Sequence, residues 1–378
     1  MVLNEGGSVW GGRGRLVEEA AIGVEAGSAE YMLGNQVGIA VDDDRIYIAD
    51  PSVPAVRVYD YDARHIMDVG ARGQGPGEFN DLRSVTVAPD GRLYVYADRR
   101  INVYTADGES IDTWPHAQGL DSFTQPLFAD DGMLYLEELV GDAFDPREWQ
   151  HGMIAAGPDG PHGDPIEVPA FEWQREGNIR RFSGGGWLNE RPPFTPRLHW
   201  VMSPSRSIIA GVPSTHRFEI HAIDGGMTIV DTAWDPVPVS AEEAEWNRES
   251  ITTSRVRADP GWQWTAPPIP GQKPAYEGLF VGTDGRIWAS RIVGTERLED
   301  CDEDPINPVG RVARTCWRQL YGYDVFDADG RYLGAVDVPG ERRLINPVMH
   351  GDHVIGYIED DEGIGRVKRF RLALPGAD

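Results

Sequence analysis

Two short alternating runs hinged on Pro89, Asp90 and Gly91 constrain this chain more than any other feature. The first run is Ser84 to Ala88 and the second is Arg92 to Ala97. Their period of two is that of a strand whose side chains face opposite ways. The Asp-Gly pair favours a tight hairpin, because Gly91 is free to take φ > 0. A third run, Ile101 to Thr105, leads to a turn at Asp107 and Gly108, and Glu109 to Trp114 is the fourth strand. Four antiparallel strands in about 45 residues make one blade of a β-propeller.

The pattern recurs along the chain. Second strands of equivalent hairpins begin near Arg45, Arg92, Met133, Ser207, Arg286 and His353, with Asp42, Asp43 and Asp44 forming the first turn. The last repeat, from Leu344 to Leu374, is one strand short, and the run Arg15 to Val24 has no neighbour to pair with. Joining the two would close the ring and remove exposed strand edges. The expectation is an all-β chain forming one domain over residues 1–378. It is a six-bladed β-propeller of four-stranded antiparallel blades, closed by residues 15–24.

The second repeat also resembles a known family. Residues 73–79 (Gly-Gln-Gly-Pro-Gly-Glu-Phe) and 85–95 (Val-Thr-Val-Ala-Pro-Asp-Gly-Arg-Leu-Tyr-Val) are similar to the NHL repeat of six-bladed propellers. That resemblance implies a fold. Such propellers include binding scaffolds, lyases and hydrolases, so activity does not follow from it.

Composition bears on compartment and partners. No run of about 18 apolar residues is present, so no bilayer-spanning helix is expected. The first residues, Met-Val-Leu-Asn-Glu-Gly-Gly, lack a basic and an apolar region, so no signal peptide is read there. Lys and Arg total 35 against 61 Asp and Glu, a net charge of −26. Such a field disfavours nucleic acid and suits a basic partner. The only cysteines, Cys301 and Cys316, share one insertion and fit no zinc spacing. A disulfide between them is expected, which favours a periplasmic or secreted protein whose leader is absent from this sequence.

Function is expected where chain length is in surplus. The connections 139–150, 169–197, 234–275 and 293–318 all join a second strand to a third or one blade to the next. In a propeller such connections emerge on one face, and loops on a rigid scaffold carry function. Ser240, Ala241, Glu242 and Glu243 form a capping box there, opening a helix to about Arg257. Trp149, Trp173, Trp187, Trp262, Trp264 and Trp317 fall on the same connections, and the last five are candidate partner-binding anchors. At the axis, near the starts of the innermost strands, Arg83, Gln125, Arg197, His199, Glu277 and Asn346 could hold a small anionic or polar ligand.

No catalytic motif is found. The pair His350 and His353 sits on a tight turn, and His216 and His221 would point to opposite faces of one strand. An axial calcium site could recruit Asn35, Asp81, Glu277 and Asn346, but Arg83, Arg197 and His199 at the same level oppose it. No metal or cofactor is expected. The preferred reading is a non-enzymatic accessory propeller docking a protein on its long-loop face, such as a basic carrier or an electron-transfer complex at a membrane. The alternative is a metal-dependent hydrolase of lactone or ester type, with its site at the axis.

Overall fold

The computed structural model describes residues 1–34, 37–115, 126–140, 150–172, 178–181, 187–299, 316–360 and 363–376. Six four-stranded antiparallel sheets form six blades. Blade one is Gly38–Val41, Arg45–Ala49, Val56–Asp60 and His65–Val69. Blade two is Leu82–Val87, Leu93–Ala97, Arg100–Tyr104 and Ser110–Pro115. Blade three is Leu127–Phe128, Leu134–Val140, Gln150–Gly157 and Gly160–Glu167. Blade four is His199–Met202, Ile208–Gly211, Arg217–His221 and Met227–Thr232. Blade five is Gly278–Val281, Ile287–Arg297, Trp317–Phe326 and Tyr332–Asp337. Blade six is Ile345–His350, His353–Glu359 and Gly365–Ala373, completed by Gly14–Ile22 from the other end of the chain.

Local chemistry sets the hairpins. Gly91 takes a φ of 82°, as the turn requires. Blade one has no glycine at this point. Instead Asp42 Oδ1 accepts hydrogen bonds from the Asp44 and Arg45 amides at 3.1 and 2.8 Å, a side-chain mimic of the turn.

The core lies between blades. Inner strands pack on a neighbour at both faces, so they read as unbroken apolar runs; Ile46, Tyr47 and Ile48 are all buried. Among the described residues there are six buried clusters, one per blade boundary. Tyr47 and Leu93 lie between blades one and two, Tyr94 and Leu134 between two and three, and Tyr135 and Ile208 between three and four. Phe218 and Ile287 fill the boundary of four and five, and Trp288 and Phe370 that of five and six. Ile22, Ile39, Ile355 and Tyr357 fill the last boundary, between six and one. That cluster is what makes the ring continuous. Burial of this kind contributes roughly 25 cal/mol per Å² of apolar surface.

The N-terminal segment does more than close blade six. Val2–Asn4 pairs in parallel with Met227–Thr232, adding a fifth strand to blade four. Asn4 Nδ2 then donates to the Gly330 carbonyl at 3.1 Å, and the Trp10 amide to the Leu333 carbonyl at 3.0 Å, both in blade five. Finally Gly14–Ile22 enters blade six against Gly365–Ala373, with Gly14 and Arg15 also opposite Val336 and Asp337. Residues 2–22 thus run along the outer edges of three consecutive blades.

One expected boundary shifts. The hairpin of blade five does not break at residue 293: pairing continues past a bulge between Ile292 and Gly294 as far as Arg297 opposite Trp317. Cross-strand polar pairs, Thr295 with Gln319 and Glu296 with Arg318, sustain the extension. The helix α1 (Ala241–Ala258) is capped as expected, with Ser240 Oγ accepting from the Glu243 amide at 3.0 Å. The return half of the capping box is not formed, because the Glu243 carboxylate points elsewhere.

Candidate functional site

Glu243 instead meets Lys273 in a buried ion pair, with side chains 1% and 0% exposed. Gln319 Nε2 donates to the same Glu243 oxygen at 2.8 Å, and Thr295 Oγ1 donates to Gln319 Oε1 at 2.9 Å. The Lys273 ammonium also lies 3.6 Å from the centre of the Phe194 ring. Two long connections therefore meet at one lysine, anchored on the blade-five ladder. Phe194 comes from 169–197, Glu243 and Lys273 from 234–275, and Thr295 and Gln319 from the base of the blade-five hairpin. Burial pushes the Lys273 ammonium below its ordinary range, and the bond to Glu243 opposes that shift.

A polar cluster forms at the starts of the inner strands. His199 begins the inner strand of blade four and is half-buried. Burial first, then the charges of Arg197 and Arg343, hold its pKa down to about 3, so the ring is neutral at pH 7. Glu277 Oε2 accepts from the Tyr321 hydroxyl at 3.0 Å, and the Arg343 guanidinium stands 5.9 Å from the Tyr321 ring centre. Burial, then the Glu277 charge, pushes the Tyr321 phenol up. Contacts thus link Glu277 to two residues the sequence reading missed, Tyr321 and Arg343, and the charges of Arg197 and Arg343 are felt by His199. A signal for Arg343 was present: like Arg197, it stands two residues before an inner strand.

The remaining axial candidates have partners of their own. Arg83 is exposed and pairs with Asp81 at 2.8 Å, and Asn346 Nδ2 donates to the Val37 carbonyl at 3.1 Å. Gln125 lies outside the described residues, as does Asn35. Among the described residues, no three His, Cys, Asp or Glu side chains converge as metal ligands would. His350 pairs with Asp43 at 3.0 Å while His353 stands 3.6 Å from Glu19, so the two histidines turn to different acids.

The tryptophans divide. Trp262 is only 5% exposed and meets half-buried Trp264 edge to face at 6.3 Å, so Trp262 packs its connection rather than presenting an anchor. Trp317 is half-buried at the base of the blade-five hairpin. Trp187 opens a strand, Trp187–Glu190, paired with Asn178–Arg181. Trp149, Trp173 and Cys301 lie outside the described residues; Cys316 is buried.

Away from the loops, blades four and five share a buried polar group. Asp324 is 1% exposed and accepts from Arg291 Nη1 at 2.6 Å and the Tyr332 hydroxyl at 3.0 Å. His216 Nε2 stands 3.5 Å from it, fully buried. Burial pushes the His216 pKa down to about 4; the Asp324 charge opposes this and Arg291 reinforces it.

Along the other half of the axis, all six inner strands enclose a cavity of about 610 Å³. It reaches the tight turns that join first to second strands, including Asp42, Pro89, Pro204 and Thr283. Its walls are largely apolar. Among the described residues, Asn346 is the one predicted axial residue that lines it.

The fold and these sites define a six-bladed β-propeller with an axial cavity and enlarged connections between blades. A family model described as a 6-bladed beta-propeller, DUF5128, matches residues 28–126. A member of the DUF4221 family from Bacteroides vulgatus shares 10% identity and a TM-score of 0.53, over 96% of this chain and 99% of that one. Virginiamycin B lyase from Staphylococcus aureus gives a TM-score of 0.40 at 10% identity, covering 89% of this chain and 94% of the lyase. A gluconolactonase from Xanthomonas campestris gives 0.40 at 12%, covering 94% and 99%. At such identities the likeness is one of fold alone. No curated protein matches the chain.

Proposed function

We propose that this propeller is a non-enzymatic binding or accessory subunit that docks a protein partner on the face carrying its long connections. One observation carries the reading: Lys273 ties two of those connections together through Phe194 and Glu243, and Gln319 of the blade-five ladder anchors Glu243. Surface loops under no demand for a fixed shape have no need of a buried ion pair, which costs desolvation to form. Held this way, the loops make a preorganised platform, and preorganisation lowers the entropic cost of binding. The net charge of −26 suits a basic partner and speeds its encounter at low salt. We place the protein outside the cytoplasm, at a membrane electron-transfer complex or secreted, on the strength of the proposed Cys301–Cys316 disulfide. Arg197, His199, Glu277, Tyr321 and Arg343 would then offer a polar spot at the axial end of the same face.

The test is affinity capture from native membranes, followed by binding kinetics with the captured partner. Replacing residues 298–316 by a short Gly-Ser turn keeps the Arg297–Trp317 ladder and should abolish capture. Asp90→Lys, on a tight turn of the opposite face, should leave dissociation unchanged. Capture that survives the loop replacement but is lost with Asp90→Lys overturns the proposal.

A further inference from the structure

The mouth of the axis on the long-connection face gathers positive charge in a chain dominated by acids. Inner strands lie nearest the axis of a propeller, so the residues just before them border its mouth. Arg197 stands two residues before the inner strand of blade four, Glu277 immediately before that of blade five, and Arg343 two residues before that of blade six. Three consecutive blades thus bring these positions to one half of the mouth. Contacts run across them. The Arg343 guanidinium lies 5.9 Å from the Tyr321 ring centre, and the Tyr321 hydroxyl donates to Glu277 at 3.0 Å. Tyr276, next to Glu277 in the chain, meets the His199 ring edge to face at 5.9 Å.

Arg197 and Arg343 are both exposed, and among the described residues neither pairs with a carboxylate, although Asp and Glu outnumber Lys and Arg by 61 to 35. Arg83, at the start of the inner strand of blade two, is by contrast taken by Asp81 at 2.8 Å. His199 adds no charge at pH 7, because burial and then the two arginines favour its neutral ring. A neutral ring still keeps one N–H to donate. Two guanidiniums and the Glu277 carboxylate leave one positive charge, which balances a monoanion, whereas a dianion would be repelled by Glu277. The planar fork of a guanidinium matches a carboxylate in shape as well as charge. We propose that this half of the axial mouth binds a small organic molecule through a single carboxylate held by Arg197 and Arg343, with His199 donating to it. The site lies on the face proposed for docking but needs no protein partner, so its failure in isolated protein would leave the docking proposal standing.

Titration calorimetry with three molecules of one ring system tests this: benzoate, benzamide and phenyl phosphate, at about pH 7.5, where the last is a dianion. Benzoate should bind one per chain, phenyl phosphate more weakly and benzamide not at all. Arg197→Gln and Arg343→Gln change exposed side chains and leave the fold intact. Each should weaken benzoate at least about tenfold, as loss of a charge-assisted hydrogen bond does. Arg83→Gln should leave benzoate unchanged. Glu277→Gln keeps an acceptor for Tyr321 and should raise phenyl phosphate to at least the affinity of benzoate. No heat from benzoate would overturn the proposal, as would benzamide binding as tightly as benzoate, phenyl phosphate binding more tightly than benzoate in the parent, or benzoate binding indifferent to both arginine changes.

Discussion

Lys273 and Glu243, thirty residues apart in the chain, form an ion pair with both side chains almost wholly out of water. Each alone would be a buried charge. Lys273→Met strands the carboxylate beside Gln319 and should cost about 3–5 kcal/mol. The double change with Glu243→Leu removes both charges and should recover most of that loss. Denaturant unfolding of the two variants checks the pair. A single variant within about 1 kcal/mol of the parent would contradict the junction.

His216 makes the fold sensitive to acid. Its pKa falls from an ordinary 6.5 to about 4 in the folded chain, so the unfolded chain binds the proton more readily. The stability contributed by the neutral ring is whole above pH 6.5 and is lost as pH falls towards 4. Roughly 3 kcal/mol should go over that interval. His216→Leu leaves Asp324 paired with Arg291 and Tyr332 and should flatten the profile. Thermal melts between pH 4 and 7.5 measure it, and parallel profiles for parent and variant would refute it.

Residues 14–22 should be indispensable. They pair with seven residues of Gly365–Ala373 and place Leu16 and Ile22 in two blade-boundary clusters. Deleting residues 1–24 bares a long strand edge and opens two cores, so aggregation and loss of a cooperative melt are expected. Light scattering and calorimetry decide it. A monomer with an unchanged Tm would overturn the assignment of a closing strand.

The proposed disulfide has a direct check. The Leu298 amide donates to the Cys316 carbonyl at 2.9 Å, so the connection between them is already gathered at its base. Cys301 is three residues beyond Leu298. A bond to Cys316 would contribute roughly 3 kcal/mol by closing a loop of this size in the unfolded chain. Mass spectrometry of an unreduced, alkylated digest should find one cross-linked peptide. Two alkylated cysteines in protein matured outside the cytoplasm would remove the bond and the main support for export.

The blades were legible because turns are local chemistry. Pro89, Asp90 and Gly91 announce a hairpin whatever lies elsewhere in the chain. The missing strand of blade six was legible by counting. What stayed hidden depends on distant residues. Glu243 read as half of a capping box, and nothing nearby showed that Lys273 would take its carboxylate. The connection expected to start at residue 293 instead begins with a bulge inside a longer ladder, sustained by Thr295 and Gln319. Tyr321 sits in a third strand and joins the axial cluster only because the sheet brings it to Glu277. Val2–Asn4 is too short to register as a strand without its partner.

The path of residues 2–22 along blades four, five and six also sets an order of events during synthesis. Glu18 leaves the ribosome 350 residues ahead of Lys368, its partner across the final seam. Blades one to five have all their own strands before then, but blade six cannot be sealed until the last strand is made. The nascent chain therefore carries an open seam and a free leading segment for nearly the whole of translation. Ring closure is a single late step of very high contact order, and it is the point at which chaperones can hold the chain unfinished.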